Sequence, residues 1–327
     1  MDEQGTCVWA EARHALRWAS PSLQLPGVWT ADGQNRDSYR ADGALRSILW
    51  ATIYRPILDW GTSQKRPFYV FAYDWRRSNM ETMRILQEFL RSLKQKHGVS
   101  PQVIAHSMGG MLIYAALHDD PTLAQSVIAA GTPFGAGLGL LESIHLGSPL
   151  GLNRTILDVK TLGYMTSVYS FFPATASRLH MADGTEIQHN WYSIEDWEQQ
   201  RLGMFSLSLD EKERHLYREH LTRALPEARQ FRDRVDAPPS DPSTWPPFGL
   251  ITATQFKTIF SVARDPTRKG GWNFTSREMF PGDGTVMYEY MFPQLWVERN
   301  WRLKLRHRYL LNSVSHTAKA IETMAAL

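Results

Sequence analysis

The stretch VIAHSMGGMLIYAAL, residues 103–117, limits what this chain can fold into more than any other. An apolar run ends one residue before Ser107, and an apolar helix begins just after it. A strand that passes into a helix across so short a turn opens a strand–helix unit, and the neighbouring segments repeat the pattern. RPFYVFAYDW (66–75) reads as a short buried strand of aromatic and β-branched residues. Residues 80–97 place Met83, Leu86, Phe89, Leu90 and Leu93 on one face of a helix that Gly98 ends, with lysines in its last turns. The strand SPQVIAH, the helix GGMLIYAALHDD and the strand QSVIAAGTPFG follow. Strands and helices in alternation require parallel pairing with right-handed crossovers. The expected fold class is therefore α/β, with a mostly parallel sheet and helices on both faces.

Residues 138–248 lose this rhythm. They hold polar aromatic stretches such as HNWYSIEDWEQQ (189–200), one amphipathic helix over 210–235, and the Pro-rich DAPPSDPSTWPPFG (236–249). The region reads as a cap inserted into a core made of residues 1–137 and 249–327. A chain of 327 residues is long for one domain and ordinary for an α/β domain with an insertion. LITATQFKTIFSVARD resumes a β-rich pattern, and the last 36 residues give a strand and a terminal helix.

Composition narrows the function classes. The formal charge of +3 is small and scattered, which argues against a nucleic-acid partner. The basic run WRLKLRHRY (301–309) reads as a strand and its flank. Cys7 is the only cysteine, so an intrachain disulfide is excluded and folding in a reducing compartment is allowed. MDEQGTCVWAEARHAL starts with acids and reaches no apolar core of a secretory signal, and no 18-residue apolar span occurs. As it stands, the chain is expected in the cytoplasm. NRT (153–155) and NFT (273–275) fit a glycosylation pattern that matters only for a secreted chain. No metal and no cofactor is expected.

A serine at such a junction has two readings: a buried serine in an ordinary strand–turn–helix, or a nucleophile elbow. An elbow turns so sharply that strand and helix nearly touch, so the positions two before and two after the serine must be small. Ala105 and Gly109 meet that demand in an AxSxG pattern, and Gly110 adds slack. His106 points away from Ser107 if the strand alternates, which makes it a structural histidine. Where a serine nucleophile precedes its partners, acid and then base follow in sequence. The Gly–Asp–Gly of FPGDGTVMY (280–288) makes Asp283 the candidate acid, although the same residues would serve a plain turn. His307 and His316 remain downstream. His307 sits among arginines in a strand-like stretch, whereas His316 lies on a short polar loop at a helix entry, and His316 is the expected base.

Taken together, YDWR (73–76), AHSMGG (105–110), GTPFGAG (131–137), GDGTV (282–286) and HRYLLNSVSHTAKAI (307–321) resemble the lecithin:cholesterol acyltransferase-like family. That family includes lysosomal phospholipases and phospholipid:diacylglycerol acyltransferases, and the resemblance runs from about residue 40 to the end. It implies an α/β-hydrolase fold with Ser107 as nucleophile, Asp283 as acid and His316 as base. The implied reaction moves a fatty acyl group from a phospholipid to serine, then to an alcohol or water. A phospholipid or other lipid ester is thus the implied partner, with peripheral membrane contact. Asp74, Trp75 and Arg76 would belong to the active-site wall, while by residue type Asp74 and Arg76 read as a structural pair. In the cap, Phe171, Phe172, Trp191 and Trp197 read as ordinary packing or as the lining of an acyl-chain tunnel.

The chain departs from the family in one respect that bears on catalysis. Met108 would supply one backbone donor to an oxyanion. In the family a second comes from an apolar run that ends in Pro-Gly, well before YDWR. Pro26-Gly27 in LQLPGVW is the nearest counterpart, without a buried strand before it, and the central strand would also lack a neighbour. Loss of one donor costs roughly two to three orders of magnitude in rate. A weakened or non-catalytic lipid-binding relative therefore stands beside the enzyme reading, as does a generic serine esterase.

Overall fold

The protein is described by a computed structural model that covers residues 1–327 except 10, 19, 31–34, 49–50 and 276–278. Four strands form its central sheet: β1 (Gln102–His106), β2 (Ser126–Ala130), β3 (Phe248–Ala253) and β4 (Arg299–Leu303). They lie in the order β4–β3–β2–β1 and every adjacent pair is parallel. Residues of β2 are buried on both faces, and the period-two alternation assigns each to a side. Val127 and Ala129 join Met111, Leu112 and Tyr114 in one apolar cluster. Ile128 and Ala130 join Leu310, Ile321 and Met324 in another. Helices thus cover both faces, as the α/β reading requires.

Five helices matter to the site: α1 (Arg55–Ser63), α2 (Asn79–His97), α3 (Met108–Leu117), α4 (Glu211–Asp236) and α5 (Val314–Ala325). On α2 the expected stripe of Met83, Leu86, Leu90 and Leu93 is buried, and Gly98 ends the helix at φ 72°. Residues 111–117 of α3 are apolar all round and fully enclosed. The segment 66–75, expected as a buried strand, joins no sheet among the described residues, and Tyr69 and Val70 are exposed. Its β-forming side chains need a neighbouring edge to become a strand. Between it and β1, the edge strand of the sheet, lies a cavity of about 1220 Å³ walled by Phe71, Tyr73, Leu86, Leu90, Val103 and Ala105.

Most of residues 138–248 form a second layer over the core. Its centre is aromatic: Phe172 stacks on Trp191 at 4.4 Å, and Trp197 meets both edge-on. Both indole N–H groups donate to backbone carbonyls, so the cluster packs as a closed core. Its small sheet joins Leu179–His180 and Glu186–Ile187 to Val262–Arg264 and Trp272–Asn273, which lie beyond the expected boundary at 248. Helix α4, capped by a reciprocal Asp210–Glu213 box, crosses the two layers. Tyr217, Leu221 and Leu225 enter the second layer, and Phe231 and Val235 enter the core. Asn153 of the NRT pattern is fully buried and donates to the His14 carbonyl and Ser20, so it presents no acceptor for a glycan.

His189 and His220 are among the enclosed histidines of this layer. His189 packs edge-on against Trp191 at 4.3 Å, and His220 lies between Trp29 and Tyr164. Desolvation pushes His189 down to about 4, against the pull of Asp196, and His220 down to about 3. An unfolded histidine titrates near 6.5. Between that value and the folded ones the unfolded chain binds more protons, so stability must fall as pH is lowered from about 6.5 toward 4. Each histidine adds up to about 1.4 kcal/mol of lost stability per pH unit in that window. Urea melts at stepped pH values should show this acid slope, and His220→Phe should flatten it; an unchanged slope would rule out His220 as a contributor.

At the end of β1 the chain turns into α3 through Ser107, whose φ is 54° and ψ −125°. A non-glycine residue there is held against its own preference, the strain expected of an elbow. A Cβ on Gly109 would make ordinary contacts, 3.8 Å from the Ala105 Cβ. Gly110 is the tight position instead: a Cβ there would lie 1.8 Å from Thr132 Oγ1 and 2.7 Å from Thr132 Cβ. Gly110 does not add slack; it lets α3 lie against the loop that follows β2. Gly110→Ala should destabilise the fold by about 1–3 kcal/mol, and Gly109→Ala by much less. Denaturant melts of the two variants decide between them, and equal losses would contradict the assignment.

Candidate active site

Parallel strands deliver their following loops to one end of a sheet, and three such loops meet beyond the carboxyl ends of β1, β3 and β4. The first is the elbow with Ser107. Asp283 directly follows strand Met279–Gly282, the partner of Phe256–Ile259 in an antiparallel pair built on the chain leaving β3. The third loop follows β4 and enters a short 3₁₀ helix, His307–Asn312.

His307 bridges the other two residues. Its Nε2 lies 2.9 Å from Ser107 Oγ, and its Nδ1 lies 2.7 Å from Asp283 Oδ2. The Asp283 side chain is enclosed, yet its charge is fully met. Oδ1 accepts from the Thr285 and Val286 amides at 2.9 and 2.7 Å, leaving Oδ2 for the imidazole. The backbone locks the same pair, because the His307 N–H donates to the Asp283 carbonyl at 3.0 Å. With Nδ1–H directed at the carboxylate, Nε2 is free to accept the serine proton. Gly131, at φ 55° after β2, passes so close that a Cβ there would lie 3.0 Å from Asp283 Oδ2 and 3.1 Å from His307 Nδ1.

His316 is not at this site. It sits on an exposed face of α5, and its Nδ1 pairs with Ser313 Oγ at 2.7 Å. Its place at a helix entry is as expected, but that entry starts after the turn that already carries His307. The arginines beside His307 point elsewhere: Arg306 lies over the Phe256 ring and Arg308 over the Tyr309 ring. β4 ends at Leu303, so His307 belongs to a turn and not to the strand-like stretch its neighbours suggest.

Met108 is the first residue of α3, and amides in a first helical turn have no partner within the helix. Its N–H therefore stands beside Ser107 at the positive end of the helix dipole. Gly27 plays no such part. Its N–H donates to Asn35 Oδ1 at 3.2 Å, and its Cα faces the Tyr164 ring in the second layer.

Asp74, Trp75 and Arg76 form a knot around the buried Arg76, and none of the hydrogen bonds or ring contacts described for them involves Ser107. Arg76 meets Asp74 and Asp37 through four hydrogen bonds of 2.6–2.9 Å and donates to the Leu23 carbonyl. Burial alone would lower the guanidinium pKa; the two carboxylates outweigh it and raise it. Trp75 packs on Trp9 at 5.4 Å, and its carbonyl accepts from Ser167 Oγ. Asp74, Trp75 and Arg76 thus fasten the N-terminal segment and the second layer to the core, as the structural-pair reading expects. Tyr54 and His106 also reach this region, and nothing in the sequence singled out Tyr54.

A model of the lecithin:cholesterol acyltransferase family matches residues 37–207. Lecithin-cholesterol acyltransferase-like 4 of Arabidopsis thaliana is 32% identical over 98 residues, 28% of this chain and 18% of that protein. A Saccharomyces cerevisiae protein described only as uncharacterized is 33% identical over 105 residues, 32% of this chain and 16% of its own. The matched segments thus span less than a fifth of either relative. Among solved structures, the Tle4–Tli4 complex is similar over 76% of this chain and 66% of the other, at 14% identity and a TM-score of 0.49. A likeness of that order says nothing of function. With the family match extending over more than half of its length, the chain belongs to the lecithin:cholesterol acyltransferase family.

Proposed function

We propose that the protein is a serine-dependent lipid acyl-transfer enzyme, acting as O-acyltransferase or phospholipase on a phospholipid or related lipid ester. One observation carries the reading: the unbroken hydrogen-bond path Ser107 Oγ–His307 Nε2, His307 Nδ1–Asp283 Oδ2 at a strained elbow. Family membership supports a lipid as the acyl donor. In the first step His307 Nε2 takes the proton of Ser107 as Oγ attacks the ester carbonyl, and Asp283 stabilises the imidazolium. The Met108 N–H donates to the developing oxyanion. Collapse breaks the ester C–O bond, and His307 returns its proton to the leaving lipid alcohol. The acyl-serine is then attacked by water or an alcohol, with His307 again as base.

A second reading, that of a weakened or non-catalytic lipid-binding relative, is favoured by a specific observation. The amide of Gly27, in the nearest counterpart of the family's second donor loop, is already engaged by Asn35. A generic serine esterase would share the acyl-serine and differ only in the ester it accepts.

A fluorophosphonate probe separates these readings. Ser107 should label, Ser107→Ala should not, and His307→Ala should slow labelling by at least about a thousandfold. His316→Ala should label at the wild-type rate. Absence of labelling in the wild type supports the non-catalytic reading, and loss of labelling in His316→Ala would restore His316 as the base. With a phospholipid carrying a labelled acyl chain, the label should leave the donor and reach an added alcohol or free fatty acid; turnover of simple esters alone would favour the generic esterase.

A further inference from the structure

His106 and Ser107 are neighbours in the chain, and both touch His307 from the end of β1. Ser107 meets the imidazole through Oγ, while His106 reaches the main chain: its Nε2 lies 2.9 Å from the His307 carbonyl oxygen. A carbonyl only accepts, so His106 Nε2 carries a hydrogen. In a neutral ring Nδ1 is then an acceptor, and the Tyr54 hydroxyl lies 2.6 Å from it. Tyr54 therefore donates to His106, and His106 donates to His307. The His106 and His307 rings lie 4.8 Å apart between centroids, inclined by 42°.

We propose that His106, its ring held by Tyr54, is a positioning residue that holds the His307 backbone so that Nε2 meets Ser107. The proposal rests on the reading of Ser107 as nucleophile and His307 as its base. Without His106, His307 keeps its N–H anchor to Asp283 and its ring anchor to the same residue, both on one side. The carbonyl end is then left to the 3₁₀ segment His307–Asn312 that it opens, and the direction of Nε2 is less firmly fixed. A displacement of about 1 Å at a reacting group can cost a hundredfold in rate.

Charge favours the same arrangement. Desolvation, and then the His307 charge, push His106 down to about 3, outweighing its bond to the His307 carbonyl and the pull of Asp283. Burial pushes Tyr54 up to about 12, so it keeps the proton it donates. His106 therefore stays neutral while His307 cycles through its imidazolium form, and adds no like charge beside it. A second base competing for the serine proton is excluded as well, since both His106 nitrogens are engaged.

The test reads fluorophosphonate labelling rate, melting temperature and the downfield imidazole proton shared by His307 and Asp283 in NMR spectra. His106→Leu should label at least about tenfold more slowly and lose the sharp downfield resonance. His106→Gln, whose amide N–H can still reach the carbonyl, should recover part of the rate and the resonance. Tyr54→Phe, which keeps the ring and removes the donor, should slow labelling a few-fold at nearly unchanged melting temperature, and remains informative if His106→Leu fails to fold. Wild-type rates and a sharp resonance in His106→Leu, or no rescue by His106→Gln, would overturn the proposal. If the wild-type protein itself does not label, the nucleophile reading fails, and the downfield resonance in the same variants still decides whether His106 positions His307.

Discussion

The hydrogen bond between Asp283 and His307 sets what the rest of the fold must achieve. A carboxylate enclosed by protein keeps its charge only if donors replace its lost water. Asp283 receives three, two from its own turn and one from His307. That leaves a single direction for the imidazole, and Ser107 must come to its far nitrogen. The parallel sheet brings the loops together, Gly131 clears the space beside the pair, and the positive φ of Ser107 lifts the hydroxyl to the required height. Each feature taken alone is common. Their agreement on one point in space supports the enzymatic reading.

Much of this was legible in the residues, and what was not has physical causes. The elbow could be read because a strand, a small residue, a serine and an apolar helix succeed one another without a gap. Asp283 could be read because Gly-Asp-Gly forces a turn. The histidine could not be read from local pattern: an arginine-rich stretch looks like an exposed strand, and only the tertiary structure shows that Arg306 and Arg308 turn onto aromatic rings while His307 turns inward. Segment 66–75 has strand-forming residues, but strand formation needs an edge to pair with, which propensity does not report. Gly110 was underrated because its demand comes from Thr132, a residue more than twenty positions away.

The second layer answers a different physical need. Its aromatic centre is closed, so its large side chains act by packing and not as an open channel. What joins it to the chemistry is α4, through Arg232. That guanidinium is fully buried, pairs with Asp236 at 2.8 Å, and donates to the carbonyls of Pro133 and Phe134 in the loop after β2. The same loop carries Gly131 beside the Asp283–His307 pair and Thr132 against Gly110. A buried arginine satisfied mostly by main-chain carbonyls holds a loop's shape more firmly than apolar packing would. The long helix therefore couples the placement of the second layer to the geometry of the site without contributing a reacting group.

The position of β1 explains why Ser107 needs more than one tether. An interior strand is held by ladders on both sides, whereas among the described residues β1 pairs with β2 alone and borders a large cavity on its other side. On the β2 side, the Ser107 amide donates to the Ala130 carbonyl at 2.9 Å. Side-chain hydrogen bonds add to this: Tyr54 precedes α1, His106 ends β1 and His307 follows β4, so the Tyr54–His106–His307 path ties the edge strand to two segments that already pack in one apolar cluster. An elbow with a strained backbone at a sheet edge would relax toward a less demanding φ unless something opposed it. The chain of donors from Tyr54 through His106 opposes that relaxation next to Ser107, which makes the residue before the serine part of what keeps it in place.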